Sequence, residues 1–150
     1  MTAKSLENWK NNGWIKAHKT SVEEISNLIR GGERKLADAK VDAISADGRL
    51  QFAYEGILRF AMVALAASGY RASSQSHHFR SIASLGLTVG LPDETVRLLD
   101  LFRRKRNISL YDSAGDTTEA ELEEVLEQAE VVQEAVMLWL RTNHSKLLVS

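Results

Sequence analysis

Three groups of side chains in this 150-residue chain have the capacity for chemistry: a basic run, a pair of adjacent histidines and a tyrosine. The basic run is Arg103 to Arg106, the histidines are His77 and His78, and Tyr111 follows the run by five residues. A guanidinium can hold a phosphate, and an imidazole can exchange protons near neutral pH. These residue types therefore allow phosphate binding or acid–base chemistry on a phosphodiester.

Other kinds of chemistry are excluded by composition and spacing. The chain contains no cysteine, which excludes disulfides, zinc ribbons, iron–sulfur ligation and thiol nucleophiles. The histidine pair has no His-x3-His or carboxylate–histidine spacing of the kind that binds zinc. We find no glycine-rich phosphate loop, nucleophile-elbow serine or zincin helix. We therefore predict neither a metal nor a cofactor.

Charge is unevenly distributed along the chain. The 19 Lys and Arg residues nearly balance the 20 Asp and Glu residues, so a protein acting through bulk positive charge is excluded. The stretch between Asn107 and Leu140 contains acidic residues but no Lys or Arg. The basic run before it has two interpretations. It either compensates a helix dipole at the helix C-terminus or belongs to a site.

Arg106 differs from the rest of the basic run because of its position. Leu99, Phe102 and Arg106 are spaced by three and four residues, so Arg106 continues an apolar helix face. A guanidinium on such a face needs a partner, which could be a carboxylate, a neighbouring subunit or a phosphate. The other basic residues of the run, Arg103, Arg104 and Lys105, are predicted to form a charged rim.

The elements that must position these residues are predicted to be helices. The chain has one proline, nine glycines and apolar residues at three- and four-residue spacing, and no segment alternates like a strand. A helix starting at Thr20 or Ser21 is predicted to be interrupted by Gly31 and Gly32, with a turn later at Asp47-Gly48. The other predicted helices span about 33–45, 48–68, 79–85 and 92–107, and a last helix reaches about residue 142. Either Asp116 with Glu119 or Thr118 with Glu121 could form the capping box that starts this last helix. We therefore predict an all-α fold, an antiparallel bundle of four to five helices forming one domain over residues 1–150.

Two predicted helices have clear apolar seams. The seam of the long helix is Tyr54, Leu58, Ala61 and Leu65. The seam of the last helix is Leu122, Val125, Ala129, Val132, Val136 and Trp139. The last helix ends on the apolar run 138–140, which is long for a monomeric bundle, so we predict a homodimer.

The sequence predicts a soluble, cytoplasmic protein with no membrane association. The first 18 residues contain no apolar signal-peptide core. The most apolar run, Ala61 to Ala67, is seven residues long, whereas a membrane span needs roughly 18.

The segment Arg106-Asn107-Ile108-Ser109-Leu110-Tyr111-Asp112 resembles the signature of the HEPN superfamily of small helical domains. In that family an arginine, usually followed by a polar residue, precedes a histidine by four to six intervening residues. Tyr54, the Gly69-Tyr70-Arg71 corner and His77-His78 extend the resemblance to a subgroup of HEPN proteins. The resemblance covers about residues 33–140, which would form the HEPN-like core.

The resemblance implies an antiparallel helical bundle, usually dimeric, in which motif helices from two protomers form a composite groove. Catalytic members are metal-independent endoribonucleases that act as toxins paired with nucleotidyltransferase-like antitoxins or as phage-defence effectors. Other members only bind nucleotides, RNA or protein. Arg106 and Asn107 match the motif, whereas Tyr111 stands where the histidine would be.

The tyrosine bears directly on catalysis. Cleavage of RNA without a metal needs a base, an acid and a cation for the developing phosphorane. Arg106 could be the cation, but tyrosine, with a reference pKa of about 10, is a poor base at neutral pH. Tyr111 remains a hydrogen-bond donor, general acid or stacking platform. His77 and His78 could supply an imidazole, although on a helix their side chains diverge by about 100°.

Three functions follow as hypotheses. The first is an RNA- or nucleotide-binding protein with weak or absent ribonuclease activity. The second is an active ribonuclease whose catalytic residues are Arg106, Asn107 and Tyr111, with His78 as a further candidate. The third is a helical interaction module for a nucleotidyltransferase-like partner. The predicted binding residues are Arg103, Arg104, Lys105, Tyr54, His77 and His78.

Overall fold

The computed structural model describes the backbone of residues 2–111 and 117–149, and the side chains of residues 6–106 and 117–149. Its described elements, in chain order, are α1 Thr2–Asn11, β1 Ile15–Ala17, α2 Val22–Ala39, α3 Ala46–Ala67, β2 Tyr70–Ala72, α4 His77–Ala83, α5 Leu85–Thr88, α6 Asp93–Tyr111, α7 Glu119–Asn143 and a 3-10 helix Ser145–Leu147. The protein is therefore mostly helical, as the spacing of apolar residues predicted.

The two short strands were not predicted. They form an antiparallel pair in which Ile15 is opposite Ala72, Lys16 opposite Arg71 and Ala17 opposite Tyr70. Strands of three residues are too short to show an alternating pattern, and their partners are far apart in the sequence. The pair fastens the segment after α1 to the connection between α3 and α4.

Glycines allow α2 and α3 to pack closely. The prediction that Gly31 and Gly32 interrupt a helix was wrong, because α2 runs unbroken from Val22 to Ala39. A Cβ atom on Gly32 would lie 2.7 Å from the Phe60 ring, and one on Gly56 would lie 2.4 Å from Leu36. The glycines therefore occupy positions where the two helices come too close together for a side chain.

The junction between α2 and α3 also differs from the prediction. The second helical segment does not extend to residue 45, because α2 ends at Ala39. Ser45 caps α3, accepting a hydrogen bond from the Gly48 N–H at 3.1 Å. Asp47 and Gly48 therefore lie in the first turn of a helix, where a capping serine and an acidic residue are both favourable.

The central helix of the fold is α3, which packs against α2 and α7. All four residues of its predicted seam are buried. Among the described helices, α3 alone is long and apolar enough to cross a membrane by length and composition, with a mean hydropathy of 1.3. In its most apolar window 67% is buried inside the protein, as expected for the core helix of a soluble protein.

Helix α7 begins with the second of the two predicted capping boxes. Thr118 and Glu121 form a capping box, with the Thr118 hydroxyl accepting from the Glu121 N–H at 3.1 Å and the Glu121 carboxylate accepting from the Thr118 N–H at 2.9 Å. Five of the six residues in its predicted seam are buried. Leu140 is buried in the last turn, whereas Trp139 is only half-buried.

Candidate functional site

Arg106 lies on the inner face of α6, as its spacing from Leu99 and Phe102 predicted. Leu99 and Phe102 are buried, and Arg106 is half-buried. The Arg106 guanidinium carbon lies 5.6 Å from the centroid of the Tyr54 ring, in a cation–π contact. The arginine of the motif is thus held against the central helix of the fold.

Tyr54 links α6 to α4. Its side chain is fully buried, and its hydroxyl is hydrogen-bonded to His78 Nδ1 at 2.9 Å. The structure therefore brings together Arg106, Tyr54 and His78, three candidate residues from three helices. Sequence reasoning named each of them but had no measure of how close they lie.

The two adjacent histidines lie side by side. The His77 and His78 rings meet edge to face, with their centroids 5.6 Å apart. Both line an open cavity of about 700 Å³. Adjacent helical side chains diverge by about 100°, so the two histidines were expected to face different sites. Both rings nevertheless line this one cavity. The other lining residues are Ser74, Ser76, Phe79 and Arg103.

Backbone strain accompanies the histidine pair. Ser76 has φ 58°, and it is the one non-glycine residue with positive φ in the described part of the chain. This conformation costs on the order of 1 kcal/mol for an L-residue. The strained residue directly precedes His77, so it sets the direction in which the histidines leave the connection between β2 and α4.

A row of alternating cations and rings extends from the cavity. The Arg103 guanidinium carbon lies 5.5 Å from the centroid of the Phe79 ring, and that of Arg80 lies 5.0 Å from the same centroid. Arg80 also lies 3.7 Å from the centroid of a Trp14 ring. Sequence reasoning missed Phe79, Arg80 and Trp14 as site residues. The adjacent aromatic and basic residues at 79–80, directly after the histidines, could have indicated the first two but not Trp14.

The outer cations of the basic run have carboxylate partners. Arg103 Nε lies 2.7 Å from Asp100, and Arg104 Nε lies 3.4 Å from the same carboxylate. Lys105 Nζ lies 3.4 Å from Glu121 on α7. Of these three cations only Arg103 lines the cavity of the histidines. The rim charge is therefore partly neutralised within the protein.

The remaining motif residues are Asn107 and Tyr111. The backbone of α6 continues through both, so α6 ends at Tyr111 rather than near Asn107 as predicted. Their side chains lie outside the described residues, and their proposed catalytic roles stay predictions.

The environment of the site changes two pKa values. Burial lowers the pKa of His78, and the nearby His77, Arg106 and Arg103 lower it further. Burial raises the pKa of Tyr54 to about 12, although Arg106 and Arg103 oppose that shift. Near pH 7 the site therefore holds a neutral imidazole and a protonated phenol next to a guanidinium.

Neutralising Arg106 is expected to raise the pKa of His78. In Arg106→Gln a positive charge that disfavours the imidazolium is removed, so His78 takes up its proton at higher pH than in the wild type. NMR titration of the histidine ring protons measures this shift. The control is Arg97→Gln, an exposed arginine on the same helix, which should leave the His78 titration unchanged. A His78 pKa that stays constant or falls in Arg106→Gln would contradict the electrostatic effect of Arg106 on His78.

No protein-family model and no curated protein matches the chain. Within the described residues, no group of three or more His, Asp or Glu side chains could hold a metal ion. The resemblance to HEPN domains therefore depends on the sequence motif alone and stays a prediction.

Proposed function

We propose that this protein is a HEPN-like domain that binds single-stranded RNA or nucleotides at the cavity between α4 and α6, with weak or absent cleavage. The observation that carries the proposal is the convergence of Arg106, Tyr54 and His78 from three helices, beside a cavity lined by Arg103 and Phe79. Cationic and aromatic side chains in this arrangement suit a phosphate and an unstacked base.

The phosphate and the base of a nucleotide would contact different side chains of the site. Guanidinium and imidazole N–H groups donate charge-assisted or neutral hydrogen bonds to phosphate oxygens. Phe79 is 36% exposed, so a base could stack on the part of its ring that Arg80 and Arg103 leave open. The chain carries a net charge of −1, so such local contacts must supply the affinity.

Weak cleavage follows from the protonation states. Tyr54, with a pKa of about 12, cannot take a proton from a ribose hydroxyl near pH 7. The Nδ1 atom of His78 is occupied by the Tyr54 hydroxyl. The site therefore has a cation and hydrogen-bond donors in place, but at most one ring nitrogen of His78 for proton transfer.

The other ring nitrogen of His78, Nε2, favours a second candidate function, metal-independent ribonuclease activity. If His78 Nδ1–H donates to the Tyr54 oxygen, Nε2 carries the lone pair of the neutral imidazole. The lowered pKa of His78 keeps this form populated at neutral pH. His78 would then be the base, and Arg106, which contacts the same tyrosine, would stabilise the phosphorane.

RNA binding in EDTA tests the proposal. Fluorescence anisotropy with labelled single-stranded RNA should show affinity that falls with salt, with a slope of about −0.7 per phosphate contacted. Phe79→Ala should weaken binding by about 1–3 kcal/mol, because one stacked base is lost. The matched control is Val41→Ala, an exposed apolar residue between α2 and α3. No binding by the wild type would refute the proposal.

The reaction products separate the two candidate functions. A denaturing gel that shows intact RNA after binding supports the binding protein. Metal-free cleavage that His78→Ala abolishes supports the ribonuclease.

The proposal includes a homodimer. Val131 and Leu138 are 41% and 60% exposed and lie seven residues apart on one face of α7. Two such faces from two protomers could bury each other. Light scattering on the samples used for RNA binding measures the molecular mass. A monomer at micromolar concentration would contradict the homodimer and, with it, any RNA-binding groove formed by two protomers.

A further inference from the structure

A second cavity, of about 390 Å³, lies beside the paired strands and adjoins α2, α3 and α4. Its apolar wall includes Leu28, Met62 and Leu65. Pockets of roughly 300–1,000 Å³ with apolar walls and a few polar groups are typical of small-molecule sites. The size and lining of this cavity therefore fit a small ligand.

Ser81 is the buried polar residue of its wall. The side chain is 1% exposed, and its hydroxyl has no hydrogen-bond partner among the described residues. The nearby Ser84 hydroxyl, by contrast, donates to the Ser81 carbonyl at 2.6 Å. A buried polar group without a partner costs about 1–3 kcal/mol, so a ligand atom that pairs with Ser81 would recover that free energy.

The rim of the cavity is positively charged. Lys16 and Arg71 face each other across the strand pair, and both are exposed. The lining contains one carboxylate, Glu24, which is held by His18 Nε2 at 2.8 and 3.0 Å and by the Thr20 hydroxyl. Glu24 is hydrogen-bonded to these partners, and Arg71 is close enough to help lower the pKa of its carboxyl. An anion would therefore share Arg71 with Glu24 and would contact Lys16 as its second cation.

We infer that this cavity binds a nucleoside monophosphate, an anion whose planar base can pack on apolar side chains while its edge forms hydrogen bonds. The base would lie against Leu28, Met62 and Leu65, with its polar edge on the Ser81 hydroxyl. The phosphate would lie between Lys16 and Arg71. The site adjoins the cavity lined by Arg103, because Ser74 and His77 line both cavities, but Lys16, Arg71 and Ser81 line this one alone. The proposed contacts therefore do not depend on RNA binding in the other cavity.

Calorimetry with AMP tests this site. AMP should bind the wild type, whereas adenosine and inorganic phosphate should each bind at least tenfold more weakly, because each engages half of the site. The double variant Lys16→Ala/Arg71→Ala should lose at least tenfold in AMP affinity without losing adenosine affinity. The control Arg34→Ala changes an exposed arginine on α2 and should bind AMP as the wild type does.

Ser81→Ala distinguishes a ligand-binding role of the Ser81 hydroxyl from a purely structural role. It removes an unpaired buried hydroxyl, so the melting temperature should stay constant or rise while affinities for AMP and adenosine both fall several-fold. Absence of AMP binding at millimolar concentration would overturn the inference. AMP binding lost in Phe79→Ala but retained in Lys16→Ala/Arg71→Ala would place the nucleotide in the other cavity and would also overturn it.

Discussion

Gly32→Ala is expected to lower the free energy of unfolding by about 1–3 kcal/mol, the usual cost of overpacking a core. The added methyl group would lie 2.7 to 3.1 Å from three atoms of the Phe60 ring. That ring is fully buried, so it cannot move away into solvent. Urea unfolding followed by circular dichroism measures the change.

Gly31→Ala is the matched control, because the two glycines are adjacent in the same helix. The three atoms nearest to its methyl group would all belong to the Arg59 side chain, the closest at 3.1 Å, and that flexible, exposed chain can shift. The variant should keep or gain stability, by up to about 1 kcal/mol, from the higher helix propensity of alanine. Equal losses in both variants would show that helix–helix contact does not set the requirement for glycine.

Arg106→Ala is expected to weaken RNA binding at least tenfold, which corresponds to about 1.4 kcal/mol. The variant removes the guanidinium that lies over Tyr54, next to the residue that holds His78. Loss of one phosphate contact should also reduce the salt slope by about 0.7. Anisotropy titrations at several salt concentrations give both quantities.

Two further variants make this result specific. Arg97→Ala removes the same charge from an exposed position on the same helix and should leave affinity and slope close to the wild type. Arg106→Lys restores the charge without the planar fork and should recover part of the affinity. Circular dichroism confirms folding in each variant. Wild-type affinity in Arg106→Ala would exclude Arg106 from the site.

Local signals predicted the helical fold well where one physical effect dominated. The capping box at Thr118 and Glu121 and the apolar seams of α3 and α7 are local patterns, and the structure contains them. Gly31 and Gly32 were interpreted as breaks because glycine has low helix propensity, yet packing against Phe60 requires glycine at position 32. Tertiary contact here outweighs propensity, and a single sequence does not show that contact.

The site was predictable to a similar extent. Three-and-four spacing placed Arg106 on the inner face of α6 before any contact was known. The approach of Tyr54 to His78 depends on how α3 and α4 cross, which spacing within one helix cannot reveal. Trp14 joins the row of rings only through the strand pair, and strands of three residues leave no periodic trace in the sequence.

The strand pair also bears on what a minimal fragment of this protein must include. The stretch that resembles HEPN domains begins near residue 33, whereas Trp14, which stacks on Arg80, and Lys16, at the rim of the second cavity, precede it. Ile15 between them is buried with Leu6 and Leu65. Truncation at residue 33 would remove Trp14 from its contact with Arg80, remove Lys16 from the second cavity and expose Leu65. The segment before residue 33 is therefore an integral part of the folded unit.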